Sequence, residues 1–437
     1  MTQDKGLIAK KTNQESPMIS ITVPNEIRKV ADRYKDVFFE TPSNYNCLCV
    51  LLCLHLFGMK SLSSAARELG WSQSVSSLQS SVQKFSANRF MRRLRSGVLN
   101  KLKKEINEED FCYAIDDTSN IKSGKKVFGI GKWGKSNNNI YTGQKIFVLS
   151  LVNKRKGYAL PLHYFICEKT DGKVIQSGHE LTIKLLKDIF DEGYPILPVA
   201  LDSWFDSVSL MQNLDDLKVP FCIHTKDNRK VRHCKSSKVP WKTWKSHFKN
   251  KRRYSVKLLK TEHQKRSRKT KYIQESFVYI KERKTILKSI AVYNKLTDSC
   301  HFSIYVTNDL KMSGAFLYEL GRKRWLIEEL FRNLKQKLSF GRLSCTGKVA
   351  ADLSICLPFA LIISLHLSAT ESHQKNAQSL TIGTKIERIK AENFEKSLSI
   401  IINNPKHLNV KKLKARKRID RINQKPVNYF AEERIAC

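Results

Sequence analysis

Apolar positions along the chain fall into blocks whose spacing turns from helical to strand-like and back. Residues 1–40 are polar and end in a short predicted helix. From Tyr45 to Phe57 nearly every residue is apolar, which predicts a helix packed in the core. Over 59–85, Leu62, Ala65, Ala66 and Leu69 recur at helical steps, Ser61 is placed to cap the start, and Gly70 ends the run. Trp71 and Ser72 begin a second helix, with Val75 and Leu78 on its apolar face. Helix, glycine turn and helix match the helix-turn-helix pattern, in which Gln73, Ser74, Ser76 and Ser77 would approach bases or phosphates. An ordinary helical hairpin has the same spacing. A basic helix over 89–105 leads out of this region.

At Phe111 the texture changes to strands. FCYAIDD, KKVFGIGKW, KIFVLSLVN and YALPLHYFICE are apolar runs with turn-rich breaks, predicting an antiparallel meander. In GHELTIKLLKDIFDEG, Leu181, Leu185, Leu186 and Ile189 share a helical face. PILPVALDSWF then predicts a buried strand ending at Asp202, followed by a helix near 206–217 and the strand PFCIHTK. This order resembles the RNase H-like fold: a mixed α/β (α+β) sheet flanked by helices. Residues 226–312 are strongly basic, with strand-like runs and Trp241 and Trp244, and predict a β-rich insertion.

Gly321 to Leu343 has neither proline nor internal glycine before Gly341. Trp325, Leu326, Leu330, Phe331, Leu334 and Leu338 predict one buried amphipathic helix there. The expected organisation is a helical region over 1–108, a catalytic domain over 109–225 and 313–370 split by the insertion 226–312, and a basic region over 371–437.

Charge narrows the function. The 437 residues carry 79 Lys and Arg against 40 Asp and Glu, a formal net charge of +39. So one-sided a surface points to a polyanion, with nucleic acid ahead of an anionic membrane. The run KKLKARKR at 411–418 is a candidate phosphate-tracking tail. The N-terminus shows no signal peptide, and Ile355 to Leu367, interrupted by Pro358, is shorter than the ~20 residues a span needs. Eleven scattered cysteines suit free thiols and a cytoplasmic setting, and Cys47, Cys49 and Cys53 read as buried small hydrophobes.

Candidate chemistry rests on carboxylates. Asp116 and Asp117 end one predicted strand, Asp202 ends another, and Glu328 lies on the helix after the insertion. Acids at adjacent strand ends, with a third from an overlying helix, hold two divalent metals; hard oxygen ligands select Mg²⁺ or Mn²⁺. Arg324, Glu328 and Lys335 fall on one helical stripe, which suits a phosphate beside a metal. On a solvated face the same spacing gives ordinary salt bridges.

These residues resemble the bacterial insertion-sequence transposases of the DDE class, in the branch with the signature Y-x2-R-x3-E-x6-K. Arg324, Glu328 and Lys335 match R-x3-E-x6-K, and Trp325 and Ile327 match the branch's RWxIE. DDT at 116–118 resembles the first motif and LDSWF at 201–205 the second. The D-x-T pattern fits Asp116, towards which the reading leans; relatives reading EDTT favour Asp117, and both remain candidates. The resemblance covers roughly 110–370. It implies cut-and-paste transposition by a DNA-bridged homodimer in the bacterial cytoplasm at the nucleoid, acting on terminal inverted repeats and target DNA. It also implies two metal ions on Asp116 or Asp117, Asp202 and Glu328, with Arg324 and Lys335 on phosphates and Trp241 or Trp244 stacking on a flipped base. The signature tyrosine is replaced by Gly321, with Tyr318 one turn earlier as a substitute. The rival readings are an RNase H-like nuclease without strand transfer and a catalytically dead DNA-binding derivative.

Overall fold

The computed structural model describes residues 23–38, 43–59, 61–69, 75–122, 124, 126–134, 140–234, 240–249, 256–258, 271–294, 302–343, 346–372 and 381–403. Five helices come first: α1 (Asn25–Phe38), α2 (Ser43–Phe57), α3 (Leu62–Glu68), α4 (Val75–Gln83) and α5 (Ala87–Leu102). The Ser61 side chain caps α3 by accepting from the Ser64 N–H at 3.1 Å. Leu78 and Val82 turn α4 into the core. Residues 70–74, with Gln73 and Ser74, lie outside the described residues.

The catalytic sheet follows as β1 (Phe111–Ile121), β2 (Gly131–Gly134), β3 (Ile140–Asn153), β4 (Tyr158–Ile166) and the small hairpin β5 (Lys169–Thr170) and β6 (Lys173–Val174). Then come α6 (Gly178–Asp191), β7 (Val199–Leu201), α7 (Val208–Asp216) and β8 (Phe221–His224). β3 pairs antiparallel with both β1 and β4, the expected meander. β7 lies parallel to β1, and β8 parallel to β7. Parallel neighbours need a helical crossover, which α6 and α7 supply. Leu181, Leu185, Leu186 and Ile189 are all buried under α6, and Ser177 with Glu180 closes a capping box at its start.

The insertion contributes β9 (Lys230–His233), β10 (Lys242–Thr243), α8 (Trp244–Lys249), β11 (Val256–Leu258), β12 (Tyr272–Ile280), β13 (Leu287–Tyr293) and β14 (Phe302–Thr307). It is not a separate layer. β14 pairs antiparallel with β8, so the insertion extends the catalytic sheet to twelve strands among the described residues.

Where one helix was expected over 321–343, two meet at Arg324: α9 (Gly314–Lys323) and α10 (Trp325–Lys337). Arg324 keeps right-handed angles (φ −49°, ψ −36°), but the Ile327 N–H bonds back three residues to its carbonyl, tightening the turn. Ile327, Leu330, Phe331 and Leu334 face the core, whereas Trp325 is exposed, with the Arg332 guanidinium 5.3 Å from its ring centroid. After α10 the chain turns at Gly341 (φ +66°), where the Asn120 side chain leaves no room for a Cβ and donates to the Gly341 carbonyl at 2.9 Å. That contact pins the end of α10 to β1.

Two helices complete the chain: α11 (Lys348–Ser372) and α12 (Ile382–Asn403). By length and composition α11 could cross a membrane, but most of its apolar stretch is buried in the protein. It packs against α1, α2, α4, α5 and β4, so the N-terminal helices and the catalytic sheet share one core. Arg95 on α5 strengthens that union. Its guanidinium donates twice to Glu192 beyond α6, each at 2.5 Å, and once to the Leu162 carbonyl on β4.

Candidate active site

Strand register decides what meets at the sheet's open end. Ala114 pairs with Ala200, and Leu201 with Ile223. Two residues on, Asp116 and Asp202 therefore stand level; Asp202 follows the last residue of β7 as expected, whereas Asp116 lies midway along β1, which stays paired with β3 as far as Ile121 and does not end at the two acids. Asp202 also caps the 3₁₀ turn Ser203–Phe205, its Oδ1 accepting from the Trp204 N–H at 2.8 Å. Arg324, at the junction of α9 and α10, reaches down to this end. Its guanidinium donates to Asp116 Oδ2 at 2.8 Å and to Glu328 Oε1 at 2.6 Å.

The two aspartates play different parts. Side chains alternate across a strand. Asp117, on the other side of the strand, still feels Asp202 and Lys335 of α10, while Asp116 is held by Arg324 at the head of that helix. The other Asp116 oxygen, Oδ1, accepts from the Asp117 N–H at 2.8 Å, so both its oxygens are engaged. Asp117 is more open, and its cation is Lys145 of β3 at 3.5 Å. The Lys145 ammonium also lies 4.6 Å from the ring centroid of Trp204, tying the second motif to the first.

Burial dominates the electrostatics of the cluster. Burial pushes the Asp116 carboxyl up to about 7, with Asp202 and Asp117 adding to the rise and Arg324 opposing it. Asp117 is raised too, first by burial, against the pull of Lys145 and, more weakly, Lys335. Burial works against the Arg324 charge, but Asp116 and Glu328 outweigh it and raise its pKa. The stripe of Arg324, Glu328 and Lys335 thus stands beside Asp116, Asp117 and Asp202.

Carboxylate oxygens gathered at one place suit a hard divalent cation in kind. Among the described residues, no three of the acids converge on one point; the Arg324 guanidinium lies between Asp116 and Glu328.

A family described as Transposase DDE domain matches residues 117–363, more than half of the chain. The chain belongs to that family. It is a DDE-class DNA transposase built on a mixed sheet flanked by helices, and domains of this kind use divalent metal ions. No curated protein matches the chain. One similar solved structure is the cryo-EM structure of a piggyBac transposase synaptic complex with hairpin DNA. The likeness covers 94% of this chain and 79% of that one, at a TM-score of 0.43 and 11% identity.

Other expected site residues separate on inspection. Trp244 is fully buried, stacked on Phe248 and donating its indole N–H to the Thr225 hydroxyl at 3.0 Å. The transposase core encloses it, so it does not meet a base. Trp241 is half-exposed, with the Arg232 guanidinium 4.8 Å from its ring centroid. Tyr318, the expected substitute for the signature tyrosine, is buried on α9. The basic run at 411–418 lies outside the described residues. Sequence reasoning missed Lys145, although its place two residues before Phe147 on a predicted strand put it on the same face as that residue. It also missed His224 and Tyr305, which register alone brings level with Asp202.

Proposed function

We propose that this transposase moves an insertion sequence by cut-and-paste, as a member of the bacterial branch with the Y-x2-R-x3-E-x6-K signature. The observation that carries the reading is the hydrogen-bonded chain Asp116–Arg324–Glu328 on the row occupied by Asp202. It joins three motifs far apart in sequence at one sheet end. Asp117, Asp202 and Glu328 would hold Mg²⁺ or Mn²⁺, two ions in all. Asp116, with both oxygens engaged, would position Arg324. Its greater openness favours Asp117 over the Asp116 to which the D-x-T pattern pointed.

When bound, the ions activate an attacking hydroxyl and steady the leaving oxygen. The chain's own residues do the rest. Arg324 and Lys335 neutralise phosphates beside the cleavage point and fix the strand's position. Lys145 compensates Asp117 until the site is loaded. Trp241 is the remaining candidate for stacking on an extruded base. The helical region 1–108 would grip the terminal repeats, with the protein working as a DNA-bridged homodimer at the nucleoid.

Joining of the freed 3′ end to a target plasmid separates this reading from its rivals. We expect cleavage of a donor plasmid carrying the gene's flanking repeats, followed by joined product. Cleavage with no joined product would leave a nuclease. Salt-sensitive binding with no cleavage would leave an inactive derivative.

A further inference from the structure

Gly321 marks the departure from the signature, and the structure shows what fills its place. A Cβ built there would fall inside van der Waals contact with the ring of Tyr305 on β14. The ring of Tyr305 thus lies directly on α9, one turn before Arg324. Register gives the same phenol a second relation. Tyr305 pairs with His224, which stands level with Asp202 because Leu201 pairs with Ile223. Asp116, Asp202, His224 and Tyr305 therefore form one row across four strands, β1, β7, β8 and β14. Strands lie ~4.8 Å apart, which puts the Tyr305 backbone about 10 Å from that of Asp202. The His224 and Tyr305 rings adjoin, 5.2 Å between centroids. Tyr305 is half-buried, while Tyr318 packs edge-on behind it and is sealed.

We propose that Tyr305 is a phosphate-binding residue of this active site, donating its phenolic hydroxyl to a non-bridging oxygen of the DNA strand engaged by Asp202 and Glu328, and that residue 321 is glycine to admit the Tyr305 ring. The inference rests on the carboxylate site proposed above. A phenol at the end of the carboxylate row offers a donor without a formal charge, one that does not compete with a metal for the acids. Burial pushes the Tyr305 hydroxyl up to about 12, so it keeps its proton throughout the neutral range. Glycine at 321 and tyrosine at 305 are then one arrangement: an aromatic ring reaches the strand from β14 and not from the helix.

The test uses the full chain, Mg²⁺ and an end-labelled duplex of the repeat flanking the gene. Tyr305→Phe keeps the ring against Gly321 and removes the donor. It should slow cleavage by roughly 10- to 100-fold while the melting temperature stays within about 2 °C. A methylphosphonate scan of the phosphates near the cut should find one position that slows the wild type but slows Tyr305→Phe no further. Gly321→Tyr alone should abolish cleavage by collision, and adding Tyr305→Ala should restore several-fold more activity than Tyr305→Ala shows alone. Wild-type cleavage rates in Tyr305→Phe, or equal methylphosphonate penalties in both proteins, would overturn the phosphate contact. Full activity in Gly321→Tyr would overturn the paired arrangement. Failure of the wild type to cleave at all would strike the carboxylate-site reading instead.

Discussion

Arg95 and Glu192 offer a test of how the helical region is fastened to the catalytic sheet, because burial divides their pair unequally. The Arg95 side chain is 4% exposed and the Glu192 side chain 23%. Breaking a buried ion pair costs about 3–5 kcal/mol when the remaining charge is sealed, and less when water reaches it. Glu192→Leu leaves the Arg95 charge sealed, with the 3.4 Å contact to the Leu162 carbonyl as its remaining hydrogen bond among the described residues, so the full range applies. Arg95→Met keeps the buried stem and strands Glu192, which water and Arg92, 3.8 Å away, still solvate; about 2 kcal/mol is expected. The double variant replaces the pair with apolar side chains and should cost less than Glu192→Leu alone. Urea midpoints of the four proteins measure this directly. Equal costs for the two single variants, or simple addition in the double, would refute the reasoning.

Three further outcomes follow from the same structure. Trp244→Ala should lower stability by about 3–5 kcal/mol in thermal melts, because it empties a sealed site; Trp241→Ala, half-exposed, should cost no more than about 1 kcal/mol. His55 on α2 is fully buried, and burial lowers it to about 4. Below about pH 6.5 the unfolded chain takes a proton the folded one refuses, so by pH 4.5 about 3 kcal/mol of stability is lost. His55→Leu should flatten that slope in denaturation midpoints, and an unchanged slope would contradict the assignment. Asp116→Asn should retain some metal-dependent cleavage and Asp117→Asn none above background, as followed with the labelled duplex.

Much of this was legible in the chain. The Ser61 cap, the buried face of α6 and the strand ending at Asp202 follow from local spacing and capping chemistry. So does the Arg324–Glu328–Lys335 stripe, since positions four and eleven apart on a helix share a face whatever packs against it. What stayed hidden depends on pairing between distant segments. Nothing near Tyr305 or Gly321 announces their contact; the register of β14 on β8 creates it. The same pairing turned the insertion from a separate segment into a continuation of the sheet. Tryptophan was the ambiguous residue type. Trp244 and Trp325 have the same chemistry, yet tertiary packing sealed the one and left the other exposed under Arg332. The Asp116–Asp117 pair was ambiguous for a like reason: hydrogen bonding in the folded chain distinguishes them, not spacing.

The central claim is that Asp117, Asp202 and Glu328, gathered beside Arg324 at one end of the sheet, carry the DNA chemistry. The most direct measurement is cleavage of the labelled terminal duplex by the wild type, Asp202→Asn and Glu328→Gln with Mg²⁺ or Mn²⁺, with duplex affinity measured beside it. The account predicts metal-dependent cleavage in the wild type, its loss by about a thousand-fold or more in both variants, and affinities within a few-fold of one another. Metal-dependent cleavage that survives in either variant would contradict it.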